Sequence, residues 1–452
     1  MRTYEKYKDS GISWIGKVPE DWEVGRFKYS FKVRKGLTIT KADLVDKGIP
    51  VISYGQVHSK DNPGTHLKES LFRYVPSKYL YSDKDSLVCK GDFIFADTSE
   101  DIEGCGNCVY VDKNMELFAG YHSIIAKSIR SNDCKFFSYL FLTDSWRKQI
   151  RTKVSGVKVF SITQDYLKNT TLIIPPYSEQ QAIANYLDKK TAEIDKIIAE
   201  REKKIELLNE LKSSIISRAV TKGINPHAKM KDSGIDWIGK VPEDWEIQKM
   251  NLICKVITDF VASGSFSDLK KNVTYIDSKD YAMLIRTADL SKKSNTMSHV
   301  YVSKDSYNFL SNSNLFGNEI ILPNIGASIG DVYMVPKNMY KHMTLGPNSI
   351  MVKTKYCDFY YYNYFKSRSG RESLLMIGQA AAQGKFNKTQ LRQMKVPVPA
   401  LNEQKAIATF IKKRILKIDT LISTESTKIT LLREYKQSLI SEVVTGKRKV
   451  ID

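Results

Sequence analysis

The chain has 452 residues, of which 42% are hydrophobic and 27% charged, and its 70 Lys and Arg outnumber its 50 Asp and Glu. This length predicts two to four domains, and no apolar run approaches the roughly 18 residues of a membrane-spanning helix. The polar N-terminus and the six scattered cysteines exclude a secreted disulfide scaffold and favour a cytoplasmic protein with reduced thiols. The net charge of +20 favours a polyanionic partner, because neutralising phosphates releases counterions.

The sequence repeats itself. Asp9–Val24 and Asp232–Ile247 are identical at 14 of 16 positions, and Glu179-Gln180 recurs as Glu403-Gln404 at an offset of 224. Between these anchors the two halves diverge, although both contain short β-rich segments bounded by Gly, Asn, Asp and Ser. A repeat of this kind predicts two similar globules, each α/β or α+β, with a proline-marked junction at the end of each.

A long helical pattern follows each junction. Apolar residues recur at alternating spacings of four and three, which predicts a coiled-coil seam. We expect the helices to begin near N-caps at Ser178 and Asn402 and to pack on each other as an antiparallel pair roughly 60 Å long; the alternative is that each packs on its own globule. The seam residues are Leu187, Ile194, Ile198, Ile205, Leu208, Ile215 and Ala219 in the first tract, and Ile411, Ile418, Ile422, Ile429, Leu432, Leu439 and Val443 in the second.

One polar residue interrupts the seam in each helix, just before the midpoint of the seam. These residues are Arg201 and Glu425, and their opposite charges predict an ion pair that fixes the coiled-coil register. The alternative is that both side chains extend outward and are merely tolerated in the seam.

The positive charge lies mostly outside the helices. Residues 178–222 hold nine Lys/Arg and eight Asp/Glu, and residues 402–445 hold eight and five, so that the two tracts carry only four of the twenty excess charges. Polar and basic loops of the globules are therefore the expected contacts with a nucleic acid, because base readout needs donors and acceptors that project. The candidates are Arg34, Lys35, Thr38, Lys41, Lys153 and Lys158 in the first half, and Ser263, Ser265, Lys270, Gln383, Lys385, Asn387 and Lys388 in the second.

Two strings imitate enzyme motifs without their essential residues. Ile174-Pro175-Pro176-Tyr177 lacks the Asn or Asp with which an amino-methyltransferase motif would accept hydrogen bonds from its target amine. Gly446-Lys447 lacks both the leading glycine and the Ser or Thr of a phosphate-binding loop. Neither string predicts catalysis by this chain.

Cys105 and Cys108 have the spacing of zinc or redox ligands. When the halves are aligned on Gly106 and Gly330, however, Ile329 and Val332 occupy the cysteine positions of the second half. We therefore expect the two cysteines to fill small core positions; the alternative is a zinc site completed by other ligands, for which the candidates are Cys89, His122 and Cys134.

The combination of features resembles the specificity subunit of type I restriction–modification systems. The resemblance covers essentially the whole chain and is carried by the twice-written Asp-Ser-Gly-Ile-x-Trp-Ile-Gly-x-Val-Pro-x-x-Trp motif, by two divergent globules, and by the strings Pro175–Gln180 and Pro399–Gln404. It implies target-recognition domains at residues 1–175 and 225–398, separated by coiled-coil helices at 176–224 and 399–452.

The resemblance also implies a division of labour. Each recognition domain would read one half of an asymmetric, bipartite site on double-stranded DNA, and the coiled coil would set the spacing and dock two modification subunits. Those subunits would use S-adenosylmethionine, and the restriction subunits ATP and Mg²⁺, whereas this chain would bind no cofactor or metal and would have no catalytic residue. The alternative is a self-contained DNA-modifying enzyme or a fragment of one.

Overall fold

The computed structural model describes residues 3–13, 15–156, 158–291, 298–379 and 384–450. The chain divides into two compact units. Unit 1 comprises Met1–Glu202 and Thr427–Asp452, and unit 2 comprises Lys203–Ser426, so that each unit contains one globule and a part of both long helices.

Unit 1 contains strands β1–β14 and helices α1–α5, and it holds the first part of helix α6. The strands are β1 Tyr7–Asp9, β2 Lys17–Pro19, β3 Glu23–Arg26, β4 Phe31–Lys35, β5 Ile49–Ile52, β6 Arg73–Val75, β7 Leu87–Val88, β8 Phe93–Ala96, β9 Thr98–Ser99, β10 Cys108–Tyr110, β11 Leu117–Ala119, β12 Ser123–Ser128, β13 Phe160–Ser161 and β14 Thr171–Ile174. The helices are α1 Tyr54–Val57, α2 Tyr79–Ser82, α3 Cys134–Phe141, α4 Asp144–Arg151, α5 Gln164–Lys168 and α6 Tyr177–Lys222.

Unit 2 contains strands β15–β27 and helices α7–α12, and it holds the first part of helix α13. The strands are β15 Met230–Asp232, β16 Lys240–Pro242, β17 Glu246–Lys249, β18 Cys254–Asp259, β19 Tyr275–Ile276, β20 Ala282–Ile285, β21 Val300–Val302, β22 Asn314–Leu315, β23 Ile320–Pro323, β24 Tyr333–Met334, β25 Met343–Leu345, β26 Ser349–Thr354 and β27 Lys395–Val398. The helices are α7 Met250–Ile253, α8 Phe266–Asn272, α9 Lys304–Phe309, α10 Asp358–Lys366, α11 Arg368–Gln379, α12 Lys388–Gln393 and α13 Leu401–Val444.

Both globules use the same pair of sheets. In unit 1 an antiparallel sheet has the order β10-β8-β12-β4, and a mixed sheet has the order β6-β5-β11-β7 with β5 and β11 parallel. In unit 2 the matching sheets are β18-β26-β23-β24 and β19-β21-β20-β25-β22, and here β20 and β25 form the parallel pair. The predicted α/β or α+β class is confirmed, as is its repetition.

The aromatic helices supply much of each core. Phe136, Phe137 and Phe141 of α3 are fully buried, as are Tyr360 and Tyr361 of α10. Each buried aromatic ring withdraws a large apolar area from water, on the order of 2–3 kcal/mol per side chain. The consecutive tyrosines Tyr360 and Tyr361 thus belong to the core of the second half.

The two cysteines with zinc-like spacing are core residues. Cys105 and Cys108 are at most 1% exposed, and burial raises the pKa of the Cys108 thiol to about 12. Ile329 and Val332 are buried at the matching positions of unit 2. Over the described ranges, His, Cys, Asp and Glu side chains form no group of three or more that could hold a metal ion.

The repeated tryptophan motif forms the same junction in each unit. Trp22 is fully buried, and its indole N–H donates to Glu179 of α6 at 3.0 Å. Trp245 is also fully buried and donates to Glu403 of α13 at 2.9 Å. A buried indole N–H needs an acceptor. The glutamate of each Glu-Gln pair supplies that acceptor, which explains why a glutamate is present at this position.

The glutamine of each Glu-Gln pair closes the same junction from the other side. Gln180 donates to the Pro175 carbonyl at 2.8 Å and accepts from the Asp133 amide at 2.8 Å. Gln404 donates to the Pro399 carbonyl at 2.9 Å and accepts from the Cys357 amide at 3.2 Å. Both side chains are buried and join a proline turn, a long helix and an aromatic helix. The motif is thus a packing anchor; Trp14 lies outside the described residues.

The long helices start two residues earlier than N-caps at Ser178 and Asn402 would require. They begin at Tyr177 and Leu401, so Ser178 and Asn402 lie inside the first turn and the prediction of these residues as N-caps was wrong. The carbonyls of Pro176 and Ala400 accept the first helical hydrogen bonds instead, from Gln180 and Gln404. A side-chain cap is dispensable here because the glutamines and the proline turns already hold the start of each helix.

The helices pack antiparallel within each unit. In unit 1 Asp195 pairs with Lys436 at 2.6 Å and Glu202 with Arg433 at 2.8 Å. The residue number thus increases along one helix while it decreases along the other, as in an antiparallel pair. In unit 2 the same order appears, with Lys204 pairing with Glu425 at 3.0 Å and Lys212 with Asp419 at 2.6 Å. The predicted antiparallel coiled coil is confirmed.

Candidate nucleic-acid interface

The first predicted loop of unit 1 packs against one turn of the globule. Where the chain leaves β4, the Gly36 amide donates to the Ser123 carbonyl and the Leu37 amide to the Ala119 carbonyl. A Cβ at Gly36 would collide with the carbonyl of Gly120, so only glycine permits this approach. Arg34 and Lys35, predicted in a loop, are instead the last residues of β4. The segment Arg34–Thr38 therefore lies beside the turn that connects β11 to β12.

The second predicted loop of unit 1 reaches the same place. Beyond Lys153 and Lys158, strand β13 pairs with β9, and the Ile162 amide donates to the Asp97 carbonyl at 2.7 Å. The Asp97 amide in turn donates to the carbonyl of His122 at 3.1 Å. Two loops that are far apart in sequence thus meet at the β11–β12 turn, as an interface made of projecting loops requires.

Unit 2 builds the equivalent arrangement. The Phe386 amide donates to the Asn324 carbonyl, and the Asn324 amide donates to the Asn348 carbonyl. Lys385 forms a bridge with Ile325 at the place that β13 and β9 occupy in unit 1. Lys388 pairs with Asp259, the last residue of β18, at 2.8 Å, which places the 384–388 segment beside the 3-10 turn Phe260–Ser263. The predicted Ser263–Ser267 loop is thus partly helical, because α8 begins at Phe266 and includes Lys270. We name these two surfaces, around Gly120–Ser123 and around Gly346–Ser349, the reading ends.

The predicted DNA contacts divide by what their side chains do. Arg34 donates inward to the Leu87 carbonyl, the Lys388 ammonium is paired with Asp259, and Ser265 and Asn387 cap α8 and α12. These four groups already have partners within the protein. The exposed ones are Lys35, Thr38, Lys41, Lys153, Lys158, Lys270 and Lys385; Ser263 is half-buried, and Gln383 lies outside the described residues.

Sequence reasoning missed the residues of the turns themselves. His122 and Asn348 have φ of 52° and 62°, in the left-handed region that few non-glycine residues adopt. The signal was present in the repeat, because Gly120-Tyr121-His122-Ser123-Ile124 and Gly346-Pro347-Asn348-Ser349-Ile350 share three of five residues. It escaped notice because the two strings carry no charge and stand at an offset of 226 instead of 224.

The surroundings of the two turns differ. In unit 1 the rings of Tyr54, Tyr121 and His122 contact one another edge to face at centroid distances of 5.5–6.0 Å, and His122 Nδ1 lies 3.2 Å from Asp97. An aromatic surface of this kind is typical of contacts with bases or sugars.

In unit 2 a charged cluster lies at the end of β20, in the sheet that carries this turn. Arg286 donates two hydrogen bonds to Asp289, at 2.9 and 3.0 Å, and His299 lies 3.0 Å from the same carboxylate. Burial raises the pKa of Asp289, but the hydrogen bonds from Arg286 and His299 outweigh it and hold that pKa below its ordinary value. A shared frame thus carries different chemistry in the two halves.

The chain matches the family model of the type I restriction modification DNA specificity domain twice, over residues 19–207 and 242–431. It is 26% identical over 96% of both chains to a Methanocaldococcus jannaschii protein described provisionally as the type I restriction enzyme MjaX specificity subunit. It is 24% identical to the type I restriction enzyme MjaVIII specificity subunit of the same organism, over 96% of this chain and 94% of that protein.

Two solved structures share the fold. One is a chain from a structure titled for the complex assembly and conformational transition of the type I R-M system, with a TM-score of 0.67, 14% identity, and coverage of 94% of this chain and 98% of that one. The other is the HsdS subunit of Thermoanaerobacter tengcongensis, with a TM-score of 0.53, 14% identity, and coverage of 95% and 98%.

Proposed function

The chain belongs to the family of type I restriction–modification DNA specificity subunits, and on that premise we propose that each of its two reading ends contacts one half of a bipartite DNA site. Members of this family recognise DNA and do not catalyse the reaction, so a self-contained DNA-modifying enzyme is not favoured. The recognition domains would be residues 1–175 and 225–398, with the helices at 176–224 and 399–452 between and after them.

The observation that carries this proposal is the contrast within the repeat. The junctions keep the same tryptophan, glutamate and glutamine contacts, whereas the reading ends exchange an aromatic, histidine-bearing surface for an asparagine turn and an arginine–carboxylate cluster. A protein that reads two different half-sites needs a constant frame and variable contact surfaces. The half-sites should accordingly differ, which makes the whole site asymmetric.

The distribution of charge supports a DNA partner. Sixteen of the twenty excess positive charges lie outside the long helical tracts, and exposed lysines, among them Lys35, Lys158 and Lys385, border the reading ends. Contacts to phosphates supply affinity without sequence information and hold the protein in register on the duplex. The turns between these lysines are then free to contribute discrimination.

The long helices carry surfaces suited to two copies of a partner. In unit 1 Ile197, Leu431 and Tyr435 are 38%, 57% and 50% exposed. In unit 2 the residues at the same repeat positions, Leu421, Leu207 and Leu211, are 47%, 54% and 49% exposed. Apolar side chains that recur at matched positions of the two halves are typical of a surface that is covered in an assembly, and we assign them to two modification subunits.

The remaining assignments follow from this one. S-adenosylmethionine would be bound by the modification subunits, and ATP and Mg²⁺ by the restriction subunits, which complete the complex. Helix by helix, the described chain contains no segment long and apolar enough to cross a membrane.

A domain exchange tests the proposal. Residues 25–173 would be replaced by the matching region of another specificity subunit, and the methylated sites of a host that expresses the assembled complex would be mapped. The expected result is a new first half-site and an unchanged second half-site. A control exchange of residues 248–396 should change the other half only. A change in both half-sites after either exchange would contradict the proposal of separate reading ends.

A further inference from the structure

We propose that His122 and Asn348 are specificity-determining residues, each selecting a base in the half-site that its own unit binds. This inference rests on the proposed function, because a side chain can select a base only in a protein that reads DNA. It goes further by assigning the selection to the left-handed residue of each turn instead of to the basic loops around it.

The two residues occupy equivalent positions. Each follows the second strand of the parallel pair, β11 or β25, and precedes the long antiparallel strand β12 or β26. The turn is closed in the same way in both units, since the Ser123 hydroxyl donates to the Gly120 carbonyl at 2.6 Å and the Ser349 hydroxyl to the Gly346 carbonyl at 3.3 Å. Both halves thus retain one backbone conformation while the residue that it presents changes.

The backbone conformation explains Asn348, as it does Asn318 and Asn338, better than it explains His122, because asparagine follows glycine in its preference for this region. Glycine adopts positive φ at no steric cost and would satisfy such a turn best. Strained positions are kept where the side chain or its direction is useful. The His122 side chain is 57% exposed and Asn348 is exposed, so neither ring nor amide is needed to fill the core.

The turns also lie where the loops meet. The carbonyls of His122 and Asn348 accept from the amides of Asp97 and Asn324, whose own carbonyls accept from Ile162 and Phe386. In unit 1 Gly120, two residues before His122, contacts the Arg34–Thr38 segment through Gly36. Exposed lysines lie close to each turn along the backbone, since Lys35 pairs with Ile124 and Lys385 with Ile325. If these lysines hold phosphates, the turn residue lies where a base edge can be reached.

The chemistry of the two side chains predicts different base contacts. Asp97 lies 3.2 Å from His122 Nδ1; because a carboxylate only accepts, this contact holds a proton on Nδ1 and leaves Nε2 to meet a base. The Asn348 amide presents one donor and one acceptor side by side, which matches N6 and N7 of adenine in the major groove. We therefore expect one adenine-selecting position in the second half-site and a position of different preference in the first.

Glycine substitutions test the assignment, because they remove the side chain and keep the turn. The His122→Gly and Asn348→Gly variants would be assembled with their modification subunits and used to select duplexes from a randomised DNA library. Asn338→Gly is the matched control. Asn338 also has positive φ, 67°, but it lies in the loop before β25, at the opposite end of that strand from Asn348.

The expected result is a local loss of discrimination. Asn348→Gly should relax one position of the second half-site about tenfold and leave the first half-site unchanged, because a bidentate contact is worth a factor of that order. His122→Gly should relax one position of the first half-site by a smaller factor, about threefold, because Nε2 makes a single contact, and should leave the second half-site unchanged. Asn338→Gly should select the wild-type site. Binding to unrelated DNA should stay within about twofold for all three variants, since the phosphate contacts remain.

Two further variants keep the inference falsifiable if a glycine variant assembles poorly. Asn348→Asp keeps the turn but replaces the amide donor by an acceptor, and should disfavour adenine at the relaxed position; His122→Asn should change the preference at its own position. Wild-type discrimination in all four variants, from a complex that selects a bipartite site, would overturn this inference and leave the proposed function intact. A wild-type complex that selects no bipartite site would overturn both.

Discussion

The two units share the contacts of their junctions but differ in the contacts of their reading ends. At the junction, both units form the same hydrogen bond from an indole N–H to a carboxylate: Trp22 donates to Glu179, and Trp245 donates to Glu403. At the reading end, the same strands carry His122 beside Asp97 in one unit and Asn348 beside Asn324 in the other. If the reading ends contact DNA as proposed, duplication followed by selection explains the contrast, because contacts that hold a common frame would stay and contacts that meet different DNA sequences would diverge.

The two junctions are nevertheless not identical. In unit 1 the Tyr4 hydroxyl also donates to Glu179, and the Tyr7 hydroxyl donates to the carbonyl of Gly446 at 3.3 Å. In unit 2 His227 stands at the repeat position of Tyr4 and is exposed. The junction of unit 1 is thus the more enclosed of the two, and the differences between matched variants measure how much that matters.

Removing the junction tryptophans should have the largest effect. Trp22→Ala and Trp245→Ala each leave a large cavity and remove the indole hydrogen bond to a glutamate, and should lower the free energy of unfolding by about 3–5 kcal/mol. Urea unfolding followed by circular dichroism checks this. Trp237→Ala is the control, because Trp237 is 39% exposed and its loss should cost about 1 kcal/mol. Equal costs at the buried and exposed tryptophans would show that the motif is not a packing anchor.

Alanine at the glycines that follow the long helices should lower the free energy of unfolding by different amounts at the two junctions. Gly446 and Gly223 have φ of 73° and 74°, so each alanine incurs about 1 kcal/mol of left-handed strain. A Cβ at Gly446 would overlap the rigid ring of Pro19, whereas the nearest atom to a Cβ at Gly223 is the flexible Glu403 carboxylate at 3.2 Å. We expect Gly446→Ala to cost about 2–4 kcal/mol and Gly223→Ala about 1 kcal/mol. Urea unfolding measures both losses of unfolding free energy. Equal losses would contradict the inference that the junction of unit 1 is the more enclosed.

Charge reversal in the helices tests the register predicted from the seam. Arg201→Glu should lower stability by about 1–2 kcal/mol, and adding Glu425→Arg should restore it if the two residues meet. Glu425 is 3% exposed and accepts from Lys204 at 3.0 Å, so Lys204→Ala is the control for a loss of charge near this carboxylate. A double variant no better than the sum of the two single changes would remove the predicted pair.

A pH dependence at the second junction should be the smallest effect. Burial, and to a lesser degree Asp244, raise the pKa of Glu403 above its ordinary value of 4.5, against a smaller opposing effect of the Trp245 hydrogen bond. The folded chain therefore holds this proton to a higher pH than the unfolded chain does, and the stability that protonation contributes is lost as pH rises from 4.5 through the folded pKa.

Unfolding free energies at several pH values check the sign. Relative to the wild type, Glu403→Gln should become more stable as pH rises, because glutamine stays neutral. Asp244→Asn should reduce the rise in the Glu403 pKa, and so the pH range over which stability changes, without abolishing it. The rise persists because burial is the larger cause of the raised pKa. A stability difference between Glu403→Gln and the wild type that stays constant with pH would contradict the raised pKa.

The sequence alone predicted the architecture well because the architecture depends on repeated, periodic patterns. The offset of 224 predicted the pair of globules, and the apolar spacing from Leu187 to Ala219 predicted a long helix that the structure places at Tyr177–Lys222. The burial of Cys105 and Cys108 followed from the apolar residues at the matching positions of the second half.

Tertiary structure decided which polar residues are available for DNA. Arg34 and Lys35 look alike in sequence, but as the last two residues of β4 they differ in their surroundings: Lys35 is exposed, whereas the Arg34 guanidinium reaches the Leu87 carbonyl. The left-handed turns at His122 and Asn348 have no charge or periodicity to mark them, and their place among the loops depends on hydrogen bonds between segments far apart in sequence. Local patterns determine elements because they act through neighbouring residues, whereas the reading ends arise from contacts that exist only once the sheets have formed.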